Sequence, residues 1–295
     1  MIVKELHQSM RRASFVYPFL IMQVLAIAAM AMEFATDQAT KTDFVGVMNL
    51  AMLFENGPFW NVVGGMCGVI MPLAGLMLMG QEVEEGNHEL LLLTKLNRWS
   101  VVRGKFLVLW SISTLSFVSL MPYVVVRYFR GGVEFLQELA CSLTVIGLAA
   151  VISSGAIGAS SFRHSAARLL VFVVFLGSAL VSGLAVLASS ALATQHWSPA
   201  WTGVIYHINA FFFFACFVIF GMALARTRLR LILHFYEPHP RNGVIGLLVV
   251  TPFVAGMASL LTMGYAGGLG LLGMAFAAYC ADNTPRGKPI ARSEY

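Results

Sequence analysis

The feature that most limits what this chain can become is the length of its uncharged runs. From Phe15 to Met32, 18 consecutive residues carry no charge. Comparable runs recur near residues 58–80, 106–126, 139–161, 169–193, 203–225, 243–263 and 265–281. An α-helix needs about 20 apolar residues to cross the ~30 Å hydrocarbon core of a bilayer. Helices and closed barrels alone satisfy their backbone hydrogen bonds there. Only 11% of the 295 residues are charged and 58% are hydrophobic, against about 25% charged in ordinary soluble domains. Such a chain cannot clothe a water-soluble globule. It reads as an all-α, polytopic membrane protein, and a soluble globular enzyme is excluded.

Charge reports topology in such a chain. With the N-terminus inside, Lys4, Arg11, Arg12, Lys95, Arg98, Arg103, Lys105, Arg163, Arg168, Arg226, Arg228, Arg230, Arg241, Arg286, Lys288 and Arg292 fall on one side, 16 of the 19 basic residues. Lys41, Arg127 and Arg130 fall on the other. Lysine and arginine are retained on the cytoplasmic face during insertion, so both termini are expected in the cytoplasm. The net charge of +5 thus marks cytoplasmic flanks, and no nucleic-acid partner is expected. The first run is too long for the apolar part of a signal peptide and reads as a retained span. The last two runs share a glycine-rich joint, 264–270, and form either two spans or a re-entrant hairpin. Trp60, Tyr128, Trp197 and Trp201 suit an aromatic belt at the outer interface, the alternative being ordinary packing. Small residues such as Ser154, Gly155, Gly158 and Ala159 permit close approach of helices.

Ionisable groups held in hydrocarbon are costly and usually mark relays or catalytic sites. Glu33 and Arg127 sit at outer ends of spans, where both can snorkel to water. His207 and Asn209 read as a hydrogen-bonded pair near the outer interface. The hydroxyls of Ser153, Ser154, Ser160 and Ser161 read as helix packing, since the nearest histidine, His164, falls in a basic loop. Gly104-Lys105 is followed by Phe106 and lacks the upstream glycine of a phosphate-binding loop, so ATP binding by this chain is not expected. The four cysteines and the histidines show no metal-ligand spacing, and no cofactor is expected.

The segment joining the second and third runs is different in kind. Glu82, Glu84, Glu85 and Glu89 precede Leu90, Leu91, Leu92 and Leu93, and a basic stretch follows. The leucines need cover, either from lipid headgroups or from a partner protein. An anionic cytoplasmic leaflet repels four carboxylates, whereas a basic groove on a partner attracts them and buries the leucines beside it. A docked partner is therefore expected.

Glu85-Gly86, then Glu89-Leu90-Leu91-Leu92-Leu93-Thr94, then Val101-Val102-Arg103-Gly104-Lys105 resembles the cytoplasmic loop of ABC-2 type permeases. That loop commonly shows an acidic residue, Gly-Thr, Glu-Leu-Leu, a proline-containing turn and Gly-Lys entering the third span. Here Asn87 stands in place of threonine, and Lys95-Leu96-Asn97 in place of Pro-Leu-Ser. The resemblance implies a coupling helix seated on a soluble ABC ATPase subunit, with two permease chains, identical or related, moved by two ATPases. It makes Glu82, Glu84, Glu85, Gly86, Glu89, Leu90, Leu91, Leu92, Leu93, Lys95, Arg98, Arg103, Gly104 and Lys105 the expected partner-coupling residues.

The resulting layout has an amphipathic interfacial helix at 1–14 and a six-span unit at 15–225 with its coupling loop at 81–105. A basic connector at 226–242, a further apolar hairpin at 243–281 and a cytoplasmic tail at 282–295 follow. By this reading the chain is a permease subunit of an ATP-driven exporter in the cytoplasmic membrane, in contact with membrane lipid. The alternative is an integral membrane scaffold or assembly factor without a transport cycle.

Overall fold

The computed structural model describes residues 10, 13–36, 53–54, 56–76, 98–130, 135–162, 164–190, 199–228 and 242–281. Among these the fold is all-α, with no strand. Eight helical segments follow in order: α1 Ala13–Thr36, α2 Pro58–Leu73, α3 Arg98–Arg130, α4 Phe135–Ser160, α5 Ser165–Ala188, α6 Pro199–Arg228, α7 Gly243–Leu261 and α8 Gly267–Ala281. Six of them are long and apolar enough to cross a membrane; α2 and α8 are shorter. The chain is a multi-pass membrane protein. The 33 residues of α3 extend about 50 Å and overshoot a ~30 Å hydrocarbon core. The 15 residues of α8 reach only about 22 Å.

Each helix buries the stripe its sequence offers. In α1, Met22, Ala26, Ala29 and Glu33 are buried, at the alternating steps of four and three that keep one helical face inward. Tyr17, Leu20, Ile21 and Val24 are exposed and face lipid. The hub is α4, which packs on α2, α3, α5 and α6. Its lower half is made of small residues, and Ser153, Ser154, Ala156 and Ala159 are fully buried. Without large side chains between them, α4 and α6 come together at backbone distance: a Cβ on Gly221 would overlap the backbone of Ser154. In lipid this contact replaces the solvent-driven burial available to soluble helices.

Hydroxyls are absorbed locally. Ser116 donates to the Ile112 carbonyl at 2.9 Å, Ser142 to that of Glu138 at 2.7 Å, and Thr144 to that of Ala140 at 2.8 Å. Ser154 donates to Val151 within α4 and also to Phe217 of α6 at 3.2 Å. Ser160 and Ser161 bond back to Ile157 and Gly158, as expected of packing hydroxyls. Ser153 is buried without a partner among the described residues.

The terminal hairpin belongs to the main core. Val244, Leu248 and Ala255 of α7 and Leu271, Met274, Ala275 and Ala278 of α8 share one cluster with Phe172, Phe175, Phe217 and Phe220 of α5 and α6. The turn between α7 and α8 passes through positive φ at Met263 (52°) and Gly264 (88°). Asn209 of α6 clamps it: its Nδ2 donates to the Gly264 carbonyl, and its Oδ1 accepts from the Gly268 N–H, both at 3.0 Å. The expected His207–Asn209 pair therefore does not form. Residues two apart point to opposite sides of a helix; Asn209 faces the hairpin, and His207 Nδ1 has no partner among the described residues.

Gly221→Val should cost at least about 1–3 kcal/mol, because a side chain there forces α4 and α6 apart. The measurement is thermal melting in detergent beside Gly177→Ala, a position where a Cβ meets nothing within 4 Å and no loss is expected.

Candidate functional site

One end of the bundle holds a buried ionic cluster. Arg127, near the last turn of α3, is 6% exposed. Its Nε and Nη2 grip Glu33 of α1 at 2.8 and 2.9 Å, its Nη1 donates to Glu138 of α4 at 2.7 Å, and Nη2 also donates to the Asn56 carbonyl at 2.9 Å. Glu138 accepts further from Trp60 Nε1 of α2, at 3.3 and 3.2 Å to its two oxygens. The guanidinium lies 5.3 Å from the Phe59 ring centroid. Asn56 Nδ2 donates to Cys141 Sγ at 3.0 Å. Four elements, α1 to α4, are thus pinned by one planar cation with its donors in a fixed fork. Gly57 makes room for it: φ is 104°, and a Cβ there would overlap Glu33 Oε1.

This corrects one expectation, decides between two readings of Trp60, and adds a residue. Glu33 and Arg127 do not snorkel to water; they neutralise one another, because Arg127 and Glu33 lie across a helix contact that a search along each span separately does not reveal. Trp60 is not a belt residue but is fully buried, with its N–H spent on Glu138. Glu138 was not singled out by sequence, since it falls one residue before the expected span; in the structure it lies within α4 and is 3% exposed. The signal that points to it is the excess of acid over base at this end, where a guanidinium with five donors can serve two carboxylates.

Beside Trp60 lies an apolar cavity of about 440 Å³ between α2, α4, α5 and α6. Its walls include Val69, Leu148, Ile152, Leu184 and Phe213. Both π-helical stretches among the described residues, Gly64–Ile70 in α2 and Leu184–Ala188 in α5, border it. Such local widening of a helix recurs at functional positions.

The opposite end carries the start of α3. Trp99 lies between two cations, with the guanidinium carbon of Arg103 at 5.1 Å and that of Arg226 at 5.5 Å from its ring centroid. Tyr279 of α8 meets it edge-on at 5.8 Å. Three helices, α3, α6 and α8, are therefore joined around one indole, which favours cations over its face. Of the expected coupling residues, Arg103 is exposed, Gly104 has open space around it, and Lys105 is buried at 4% exposure. The backbone of Arg98 opens α3. Glu82, Glu84, Glu85, Gly86, Glu89, Leu90 to Leu93 and Lys95 lie outside the described residues, as do nearly all of the expected interfacial helix at 1–14, most of the connector at 226–242 and the tail at 282–295.

Among the described residues no three His, Cys, Asp or Glu side chains converge on a metal-sized site. Fold and burial together define a polytopic α-helical membrane protein whose described residues include an ionic latch and an apolar cavity. No protein-family model, curated protein or solved structure matches the chain.

Arg127→Met should destabilise the protein by about 3–5 kcal/mol, because Glu33 and Glu138 then face each other in the bundle without a cation. Adding Glu33→Gln and Glu138→Gln to that variant should recover much of the loss. Melting of the single and triple variants in one detergent checks both expectations.

Proposed function

We propose that the chain is the membrane-spanning permease subunit of an ATP-driven transporter of the ABC-2 type, a reading carried by the Glu-and-Leu segment at residues 81–105. It resides in the cytoplasmic membrane with both termini inside, pairs with a second permease chain, and takes its energy from a soluble ATPase seated on that segment. Its substrate moves outward. The basic side chains concentrated on the connector side support this orientation.

The mechanical route begins where the connector ends. Residues 81–97 lead directly into α3 at Arg98. The first turns of α3 are tied to α6 and α8 through Trp99, Arg103, Arg226 and Tyr279. The last turns are tied to α1, α2 and α4 through Arg127. A displacement of the connector by the ATPase travels along one continuous helix. It reaches both halves of the bundle, as rigid helices with fixed contacts at each end allow.

Reversing charge at Glu85→Lys and Glu89→Lys together should abolish co-purification of the ATPase while membrane insertion and melting temperature stay unchanged. A basic groove that attracts these carboxylates repels the reversed charges. Undiminished co-purification would overturn the reading and favour a scaffold without a transport cycle.

A further inference from the structure

We propose that the apolar cavity beside Trp60 is a binding slot for a single hydrocarbon chain of a membrane amphiphile. This assignment stands apart from the ATPase reading, since none of its walls belongs to the connector.

Three properties of the cavity select the occupant. The first is its chemistry. The polar groups around it are already engaged: Trp60 Nε1 with Glu138, Thr144 Oγ1 with the Ala140 carbonyl and Asn61 Nδ2 with the Phe54 carbonyl. A ligand that needs hydrogen bonds inside the slot would lose them, a cost that hydrocarbon does not incur.

The second is length. Along α4 the lining runs from Thr144 to Ile152, and along α5 from Leu176 to Ala188, distances of about 12 and 18 Å at the helical rise. That is close to half of a ~30 Å hydrocarbon core, the depth of one leaflet. The shallow end lies next to the ionic latch and the exposed Asn61, and the deep end lies at mid-bundle by Phe213 and Phe214.

The third is size. The cavity is about 440 Å³, within the roughly 300–1,000 Å³ of pockets that take a single small ligand. Phe54, Leu180 and Leu184 on the rim are 67, 56 and 70% exposed, so the slot opens sideways towards lipid, the source of such chains.

The wall also offers a clean way to fill it. A Cβ on Gly65 meets nothing within 4 Å, and Gly65 borders the cavity. Gly65→Leu therefore adds an apolar side chain at the wall of the slot, starting from a Cβ that meets no neighbour. The test reconstitutes the full chain in nanodiscs of phosphatidylglycerol and phosphatidylethanolamine containing a phosphatidylglycerol with a diazirine midway along one acyl chain. After illumination, adducts are mapped by chymotryptic peptides. Adducts on the peptides containing Val69 and Leu184 should saturate as the probe is raised, while those on Leu260 and Leu261, exposed on α7, rise linearly with ordinary annular contact. Gly65→Leu should lower the slot adducts at least about tenfold through the lost burial of several methylenes, with the α7 adducts unchanged. Gly273→Leu on α8, where a Cβ also meets nothing within 4 Å and which does not line the slot, should retain both. Slot adducts that rise linearly in the unsubstituted chain overturn the proposal without any variant. So do slot adducts indifferent to Gly65→Leu.

Discussion

In hydrocarbon there is no water to satisfy a polar group, so leaving one without a partner inside the protein is costly. This cost shapes the molecule at every scale. It forces the backbone into helices and turns the hydroxyls of Ser116, Ser142 and Thr144 back onto carbonyls one turn earlier. It also makes Asn209 serve both sides of the α7–α8 joint. Its strongest expression is Arg127, whose charge is tolerable among the helices only because Glu33 and Glu138 meet it directly. Removal of one partner from such a cluster leaves a bare charge, so its members act as a unit rather than as separate contacts.

Apolar packing fills the space these polar clamps define. Small residues on α4 let α6 approach to backbone contact, and the aromatic residues Phe172, Phe175, Phe217 and Phe220 then close the core around α7 and α8. Trp60 stands between the two regimes. Its indole body borders the apolar cavity while its N–H belongs to the ionic latch, so the shape of the slot and the integrity of the latch share one side chain. The π-helical stretches of α2 and α5 widen the same region from opposite sides.

The third helix connects the two ends. Its length exceeds a bilayer crossing, and its terminal turns are anchored by contacts of different chemistry, cation–π at Trp99 and ion pairing at Arg127.

Hydropathy and charge alone determined the all-α class and the approximate place of all eight helices. The covalent run of apolar residues sets helix length whatever the neighbours are, so an expected span at 139–161 meets an observed Phe135–Ser160 with no knowledge of packing. The glutamate-and-leucine connector is likewise visible in order along the chain. What only the tertiary structure decided is partnership. Glu33 and Arg127 are 94 residues apart and Trp60 and Glu138 are 78 apart, and Glu33 and Arg127 each read as an end-of-span residue with water available. The slot is equally invisible in sequence, because its walls are ordinary apolar residues from four helices. Periodicity tells which side chains leave the lipid, but which of them meet depends on helix order and rotation about each axis, and those are set by the sum of contacts across the whole bundle.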